Sequence, residues 1–388
     1  MQNNFKQMFY IVAFSSFFST LAMNQILPLL PFIMQEYGVT GDNISFYSGL
    51  AYAGSTLTMA IFAPMWGIIA DKYGRKKMLL RASLGMGLCL LVSVFLKNAE
   101  SFIILRFVMG FFSGFNSACI ALIAISAPNN ELNYSLAKLS SFQLSGSLLG
   151  PLFGGVLMHF FDFRVQFAIS GSILVLIFFL ILIYVKEDFT PIKNMQKIKL
   201  DKSLYIFISM LCLATFLVQY SQTFIGPIIG LFVSNLVDNK ELATGFCFSL
   251  AGIASAAFAP RLSKLASNFG EIKLIIISTF CMGICFILHY FTSSNYIAFC
   301  VVRFLTGISF CSIMPSIYSL IRKNIPKEIN SKFFGINQSF IGFGAFFGSV
   351  SGGYFYNIYD ANVFFICAAF IFTCCFMFFI YENTRIKF

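Results

Sequence analysis

The side chains able to hold or move charge are few, and their places narrow what they can do. None of the 15 acidic residues falls deep in an apolar run; Glu36, Asp42 and Asp162 mark run ends, and Asp71 an opposite end. Two arginines do fall inside runs, Arg106 and Arg303. A charge there costs ~2.5–3.5 kcal/mol on insertion scales, so each is a candidate substrate or coupling residue by default. Arg106 stands only about five residues into its run, so snorkelling toward the surface competes with function. Imidazoles are the side chains able to change charge near neutral pH, but His159 and His289 lie near run ends and read as interfacial side chains. Amides and a phenol at suitable depth complete the set: Asn24, Asn116, Gln143, Gln219, Gln222, Tyr318, Asn337 and Gln338. Each is a candidate substrate contact, with an interhelical hydrogen bond as the equal alternative. Two distant histidines and no deep acid leave no nucleophile with its base, which argues against an enzyme. No cofactor is implied. The 11 cysteines all sit in apolar runs, so neither a disulfide framework nor a metal site is expected.

Two glycine-containing stretches carry mechanical chemistry. The first is Gly67-Ile-Ile-Ala-Asp71-Lys72-Tyr-Gly74-Arg75-Lys76-Lys77, a carboxylate among cations between two glycines. Glycine permits close helix approach and a sharp turn, and the charges can lock one arrangement of helices. The second is Gly146-Ser-Leu-Leu-Gly150-Pro151-Leu-Phe-Gly154-Gly155. Glycine at every fourth residue makes a smooth helix face, and Pro151 frees a carbonyl and bends the helix.

The elements that must position these residues are set by composition. Of 388 residues, 58% are hydrophobic and 11% charged, against roughly 45–50% and 25% in soluble chains. Apolar runs of ~20 residues are membrane spans. They fall at about 8–34, 44–70, 77–96, 101–126, 137–160 and 165–185, then about 203–233, 242–262, 273–291, 296–321, 333–357 and 362–381. The first exceeds the ~7–15-residue apolar core of a signal peptide and reads as a retained span. The net charge of +11 does not indicate nucleic-acid binding, because the 26 basic residues are scattered through short gaps. Most occupy alternate connections, around Lys72–Arg81, Lys186–Lys202, Arg261–Lys273 and Arg322–Lys332. That bias places these connections and both termini in the cytoplasm.

The halves echo each other. Leu105-Arg106-Phe107-Val108-Met109-Gly110 resembles Val302-Arg303-Phe304-Leu305-Thr306-Gly307, and Gly146, Gly150, Gly154 and Gly155 recur as Gly344, Gly348, Gly352 and Gly353. Ala63-Pro64 with Gly74 recurs as Ala259-Pro260 with Gly270, at nearly the same offset. The expected organisation is a six-helix bundle over 1–185, a cytoplasmic linker over 186–202 and a second bundle over 203–388. The fold class is all-α integral membrane, twelve transmembrane helices in two pseudo-symmetric six-helix bundles.

The Gly67–Lys77 stretch strongly resembles the signature loop of the major facilitator superfamily, matching it at every defining position. The Gly146–Gly155 stretch is similar to the motif of the drug:proton antiporter branch, and Arg106-x-x-x-Gly110-x-x-x-Gly114 to a third motif of that branch. Leu27-Pro28-Leu29-Leu30-Pro31, Tyr37-Gly38-Val39-Thr40-Gly41, Ala259-Pro260-Arg261-Leu262 and Asn337-Gln338-Ser339-Phe340 look most like the MdtG-type group of bacterial multidrug efflux transporters. The resemblance implies the major facilitator fold, a small-molecule substrate, proton coupling and a bacterial inner-membrane location. It makes Asp71 and Arg75 gating residues that latch the cytoplasmic side against the second half, and Arg106 a substrate or proton-transfer residue. Many members carry a carboxylate in span 1, where this chain offers Asn24 and Gln25, so the proton carrier is unassigned. No phosphate-binding loop pattern occurs, which excludes ATP drive by this chain alone. The expected function is export of drugs or other small amphipathic compounds by alternating access. The alternatives are a dedicated exporter of an endogenous metabolite, such as a carboxylate siderophore, and a symporter for uptake. No nucleic acid or obligate protein partner is expected.

Overall fold

The computed structural model describes residues 2–128, 131–187, 202–324 and 330–385. Sixteen α-helices follow one another among them: α1 (Gln2–Asn24), α2 (Leu30–Glu36), α3 (Asn43–Tyr73), α4 (Arg75–Ser93), α5 (Ala99–Phe112), α6 (Phe115–Ser126), α7 (Leu132–Phe160) and α8 (Phe163–Tyr184); then α9 (Lys202–Ile225), α10 (Ile229–Ser234), α11 (Lys240–Phe269), α12 (Glu271–Thr292), α13 (Tyr296–Phe310), α14 (Ile313–Asn324), α15 (Asn330–Tyr359) and α16 (Val363–Arg385). Ten helical stretches among the described residues are long and apolar enough to cross a membrane, one of them running through both α15 and α16. Helix α4 is the remaining rod; Arg75, Lys76, Lys77 and Arg81 lower its apolarity but not its helicity.

Twelve rods from sixteen helices means that four spans are broken. They are the first, fourth, seventh and tenth: α1/α2, α5/α6, α9/α10 and α13/α14. The fourth breaks at Gly114, whose φ of +103° suits glycine and no branched residue. A break leaves carbonyls without helical donors. Here the Trp66 indole N–H donates to the Phe111 carbonyl at 2.9 Å, and an Arg81 guanidinium nitrogen donates to the Ser113 carbonyl at 2.6 Å. Arg81 also lies over the Trp66 ring, 3.6 Å from its centroid. The polar clasp therefore joins α3, α4 and the end of α5.

Two apolar cores form. One gathers Val12, Ile33, Leu79, Phe102, Phe167 and other buried residues from before Lys186; the other gathers Leu211, Phe224, Phe286, Phe364 and Phe378 from after Lys202. Between the cores, helices meet through glycine. A methyl group on Gly49 of α3 would stand 2.3 Å from the Ser349 carbonyl oxygen of α15, and one on Gly353 the same distance from that of Ser45. Helices α7 and α11 approach likewise, Gly155 against the Glu241 carbonyl and Gly245 against that of Pro151.

These approaches start at one end of the molecule, the rim end, where η1 (Leu27–Leu29), α2 and α10 also lie together and a methyl on Gly230 would stand 2.8 Å from the Pro28 carbonyl; along α3 they reach Ala60, whose Cβ would stand 2.4 Å from a methyl on Gly342 of α15. The Ser45 hydroxyl donates to the Gly353 carbonyl at 2.9 Å, and the Asn357 amide reaches the Asp42 carbonyl. At the opposite, linker end, a methyl on Gly67 of α3 or Gly335 of α15 would meet no atom within 4 Å. Among the described residues the halves are joined from the rim to about the middle of α3, and Gly67 and Gly335 beyond it face open space.

Candidate functional site

The signature loop turns at Gly74, whose φ is +98°. Helix α4 then begins with free backbone N–H groups, which attract an anion. Glu187 supplies it: its carboxylate accepts from the Arg75 N–H at 2.8 Å and the Lys76 N–H at 2.7 Å. The Lys76 ammonium donates to the Leu182 carbonyl at 2.9 Å, Arg75 is buried, and Lys72 lies over the Tyr73 ring. The loop is thus held by the start of its own linker. Asp71 is in the last turn of α3, but its side chain lies outside the described residues, as do residues 188–201 of the expected linker. Glu187 as a cap was not foreseen from sequence; a glutamate directly after span 6 was the available signal.

The antiporter-like glycines have two distinct roles. Methyl groups on Gly146, Gly150 and Gly154 would meet the carbonyls of Phe17, Leu21 and Gln25 on α1, at 2.3, 3.0 and 2.3 Å, while Gly155 faces α11. Their echoes repeat this: Gly344, Gly348 and Gly352 face the carbonyls of Phe216, Tyr220 and Phe224 on α9, while Gly353 faces α3. Three glycines seat the helix on the first span of its own half, and the fourth seats it on the other half. Pro151 lies inside α7, where its own carbonyl faces Gly245.

The polar candidates fall into separate groups. Asn24, Asn116 and Gln143 come together: the Asn116 amide N–H donates to the Thr20 hydroxyl at 2.9 Å and its oxygen accepts from Ser16, Gln143 donates to the Asn116 carbonyl, and Asn24 donates to the Thr20 carbonyl. Asn337 is fully buried and accepts from the Thr215 hydroxyl at 2.8 Å, an α9–α15 bond inside one half. Gln219 lies where α15 crosses at Gly344, Gln222 donates to the Met282 sulfur at 3.9 Å, Tyr318 is half-buried on α14, and Gln338 is exposed.

Arg106 does not snorkel. It is 3% exposed, with Nε donating to the Ala51 carbonyl and a terminal nitrogen to the Ser55 hydroxyl, both at 3.1 Å. Arg303 is equally buried, its guanidinium 5.1 Å from the Phe248 ring centroid. His289 corrects another expectation. It is not interfacial but fully buried, stacked on Phe364 and edge-on to Phe299, with Nδ1 2.7 Å from the Cys285 carbonyl. Its position near a span end hid the aromatic core that covers it there.

Rods that break at matching places in each half, and halves that meet from the rim to mid-helix with open space at Gly67 and Gly335, make a device for passing a solute across a bilayer rather than for converting it. That defines a multi-pass membrane transport protein, not an enzyme. The chain belongs to the Major Facilitator Superfamily, whose family model matches residues 12–204 and 211–387. It is 32% identical to the multi-drug resistance efflux pump PmrA of Streptococcus pneumoniae (serotype 4) over 357 residues, covering 90% of this chain and 89% of that protein. It is also 32% identical to the multidrug resistance protein MdtG of Proteus mirabilis over 383 residues, covering 95% and 94%. Among solved structures it is similar to a mutant of the nucleoside transporter NupG, with TM-score 0.79, 12% identity and coverage of 96% and 99%. It is similar also to the human organic anion transporter MFSD10, with TM-score 0.75, 15% identity and coverage of 96% and 99%. At such identities the structural likeness concerns the fold alone.

Proposed function

We propose that this transporter exports drugs or other small amphipathic compounds across the bacterial inner membrane by alternating access, with proton coupling. In this reading the bundles 1–185 and 203–388 rock about their glycine contacts, with 186–202 as the connecting segment. The observation that carries it is the one-ended closure: hydrogen bonds and close approaches at the rim, open space at Gly67 and Gly335. The basic residues around Lys72–Arg81 put the linker end in the cytoplasm, with both termini. The described state is then open to the cytoplasm, the side from which an exporter loads. The curated relatives named as multidrug efflux proteins support the direction and the breadth of substrate. Gly67, Asp71, Lys72, Gly74, Arg75 and Lys76 form the gate in this reading, with Asp71 engaging the second half only when the linker end closes.

The test is transport in inverted membrane vesicles with an imposed pH gradient, using neutral, cationic and anionic dyes. Accumulation that collapses with a protonophore is expected, and Asp71→Asn should reduce it at least tenfold. Movement only in the uptake direction, or full transport by Asp71→Asn, would overturn the reading.

A further inference from the structure

The two seams between the halves repeat each other in sequence but not in bonding. Asp42-Asn43 ahead of α3 recurs as Asp238-Asn239 ahead of α11, and Ser45 and Asn357 of the first seam fall where Glu241 and His159 stand in the second. Across α3 and α15 the Ser45 hydroxyl meets the Gly353 carbonyl and the Asn357 amide meets that of Asp42. Across α7 and α11 the main chains touch at Gly155 and Gly245, yet among the described residues neither the Glu241 nor the His159 side chain bonds to the other half.

A cavity of about 510 Å³ opens beside this unlaced seam. Leu152 of α7 walls it from the first half; Leu242, Phe246 and Tyr296 wall it from the second, with Asp238 and Asn239 at its polar margin. The Tyr296 hydroxyl donates to the Ala243 carbonyl at 3.0 Å, which ties the ring in place at the wall. Asp238 is exposed, and among the described residues its carboxylate has no ion pair or hydrogen bond. The corresponding hollow of the first half differs on both counts. It measures about 240 Å³ and takes all its walls from that half, and its acid, Glu100, accepts from the Tyr47 hydroxyl at 3.4 Å.

We infer that the cavity between α7 and α11 binds an amphipathic organic cation from the outer side, and that the bound cation holds the rim shut. This rests on the alternating-access reading, in which the rim must part once per cycle. The volume falls within the ~300–1,000 Å³ of small-molecule sites. An unpaired carboxylate and an aromatic ring attract an ammonium head, while Leu152, Leu242 and Phe246 cover an apolar body. Asp238 and Asn239 belong to a connection, so the head meets water and the ligand arrives dissolved rather than as a lipid. Because Leu152 belongs to one half and the remaining walls to the other, the cavity exists only while this seam is together. A ligand that fits one state alone shifts the population toward it. The cation is a brake, not a cargo.

The experiment compares (4-phenylbutyl)trimethylammonium with 4-phenylbutane-1-sulfonate, the same body under opposite heads. Calorimetric binding to the full chain in a maltoside detergent should favour the cation at least tenfold. Asp238→Asn should weaken the cation at least fivefold and leave the sulfonate unchanged, and Leu152→Trp, which fills the cavity, should abolish cation binding. Asp162→Asn, an exposed acid elsewhere at the rim, should change neither. In right-side-out vesicles the cation added outside should slow efflux of a neutral dye at least threefold, and Asp238→Asn should restore it. Equal affinity for the two heads, or cation binding indifferent to both Asp238→Asn and Leu152→Trp, overturns the site. Efflux unslowed at saturation, or carriage of the cation itself, overturns the brake. If the cation binds as expected but the vesicles move no dye, the site stands while the transport reading falls, and the brake with it.

Discussion

Gly154 and Gly352 occupy equivalent places in the two halves, as do Arg106 and Arg303, yet the two pairs have kept different things. The glycines retain the same geometry: an added methyl would stand 2.3 Å from the Gln25 carbonyl in one half and 2.0 Å from the Phe224 carbonyl in the other. The arginines retain depth but not partners. Arg106 has a carbonyl and a hydroxyl, while Arg303 has an aromatic ring and two unmet nitrogens. Helix-to-helix distance is fixed by main chain that both halves need, so it resists divergence. Side-chain chemistry is answerable to the cargo and is free to become asymmetric.

The largest effect should come from breaking the shared part. Gly154→Val and Gly352→Val push a branched side chain into a backbone carbonyl, beyond the ~1–3 kcal/mol of ordinary overpacking. Both should abolish recovery of monodisperse protein by size-exclusion chromatography, whereas Gly335→Ala, which meets no atom, should not. Recovery of one valine variant but not the other would break the equivalence. Next comes Arg106→Met, which removes the charged hydrogen bonds to the Ala51 carbonyl and Ser55 hydroxyl and should destabilise by about 1–3 kcal/mol in thermal melts. Glu187→Ala removes the carboxylate from the α4 N-terminus and should cost about 1 kcal/mol, read the same way. Smallest, and opposite in sign, is Arg303→Met. Removing a buried charge with unmet donors should leave the melting temperature unchanged or slightly raised. A fall as large as that of Arg106→Met would show the two arginines to be equivalent after all.

Much of this was legible in the sequence because it is written in residue types with single uses. Gly146, Gly150, Gly154 and Gly155 announce close approach, and their echo at Gly344, Gly348, Gly352 and Gly353 announces it twice. The span positions followed from apolar length and agree with the helices to within a few residues at most ends, although α11 continues to Phe269, past the expected end near 262. The breaks in the first, fourth, seventh and tenth spans were not legible, since a kink at Gly114 or Gly226 leaves hydropathy unchanged. The burial of His289 was missed because a histidine near a run end carries no mark of the rings that cover it, Phe299 and Phe364. The capture of the Phe111 and Ser113 carbonyls by Trp66 and Arg81 was not legible either, since it depends on a break the sequence conceals.

The glycine contacts between the halves also bear on speed. Where main chain meets main chain there are no interlocked rotamers to free before one surface can glide along the other, so the long interface adds little friction. Resistance is concentrated instead in a few hydrogen bonds at the rim, those of Ser45 and Asn357. The rate of each cycle would then be governed by a handful of polar groups at the rim, leaving the tightly packed bundles to evolve toward stability without slowing the pump.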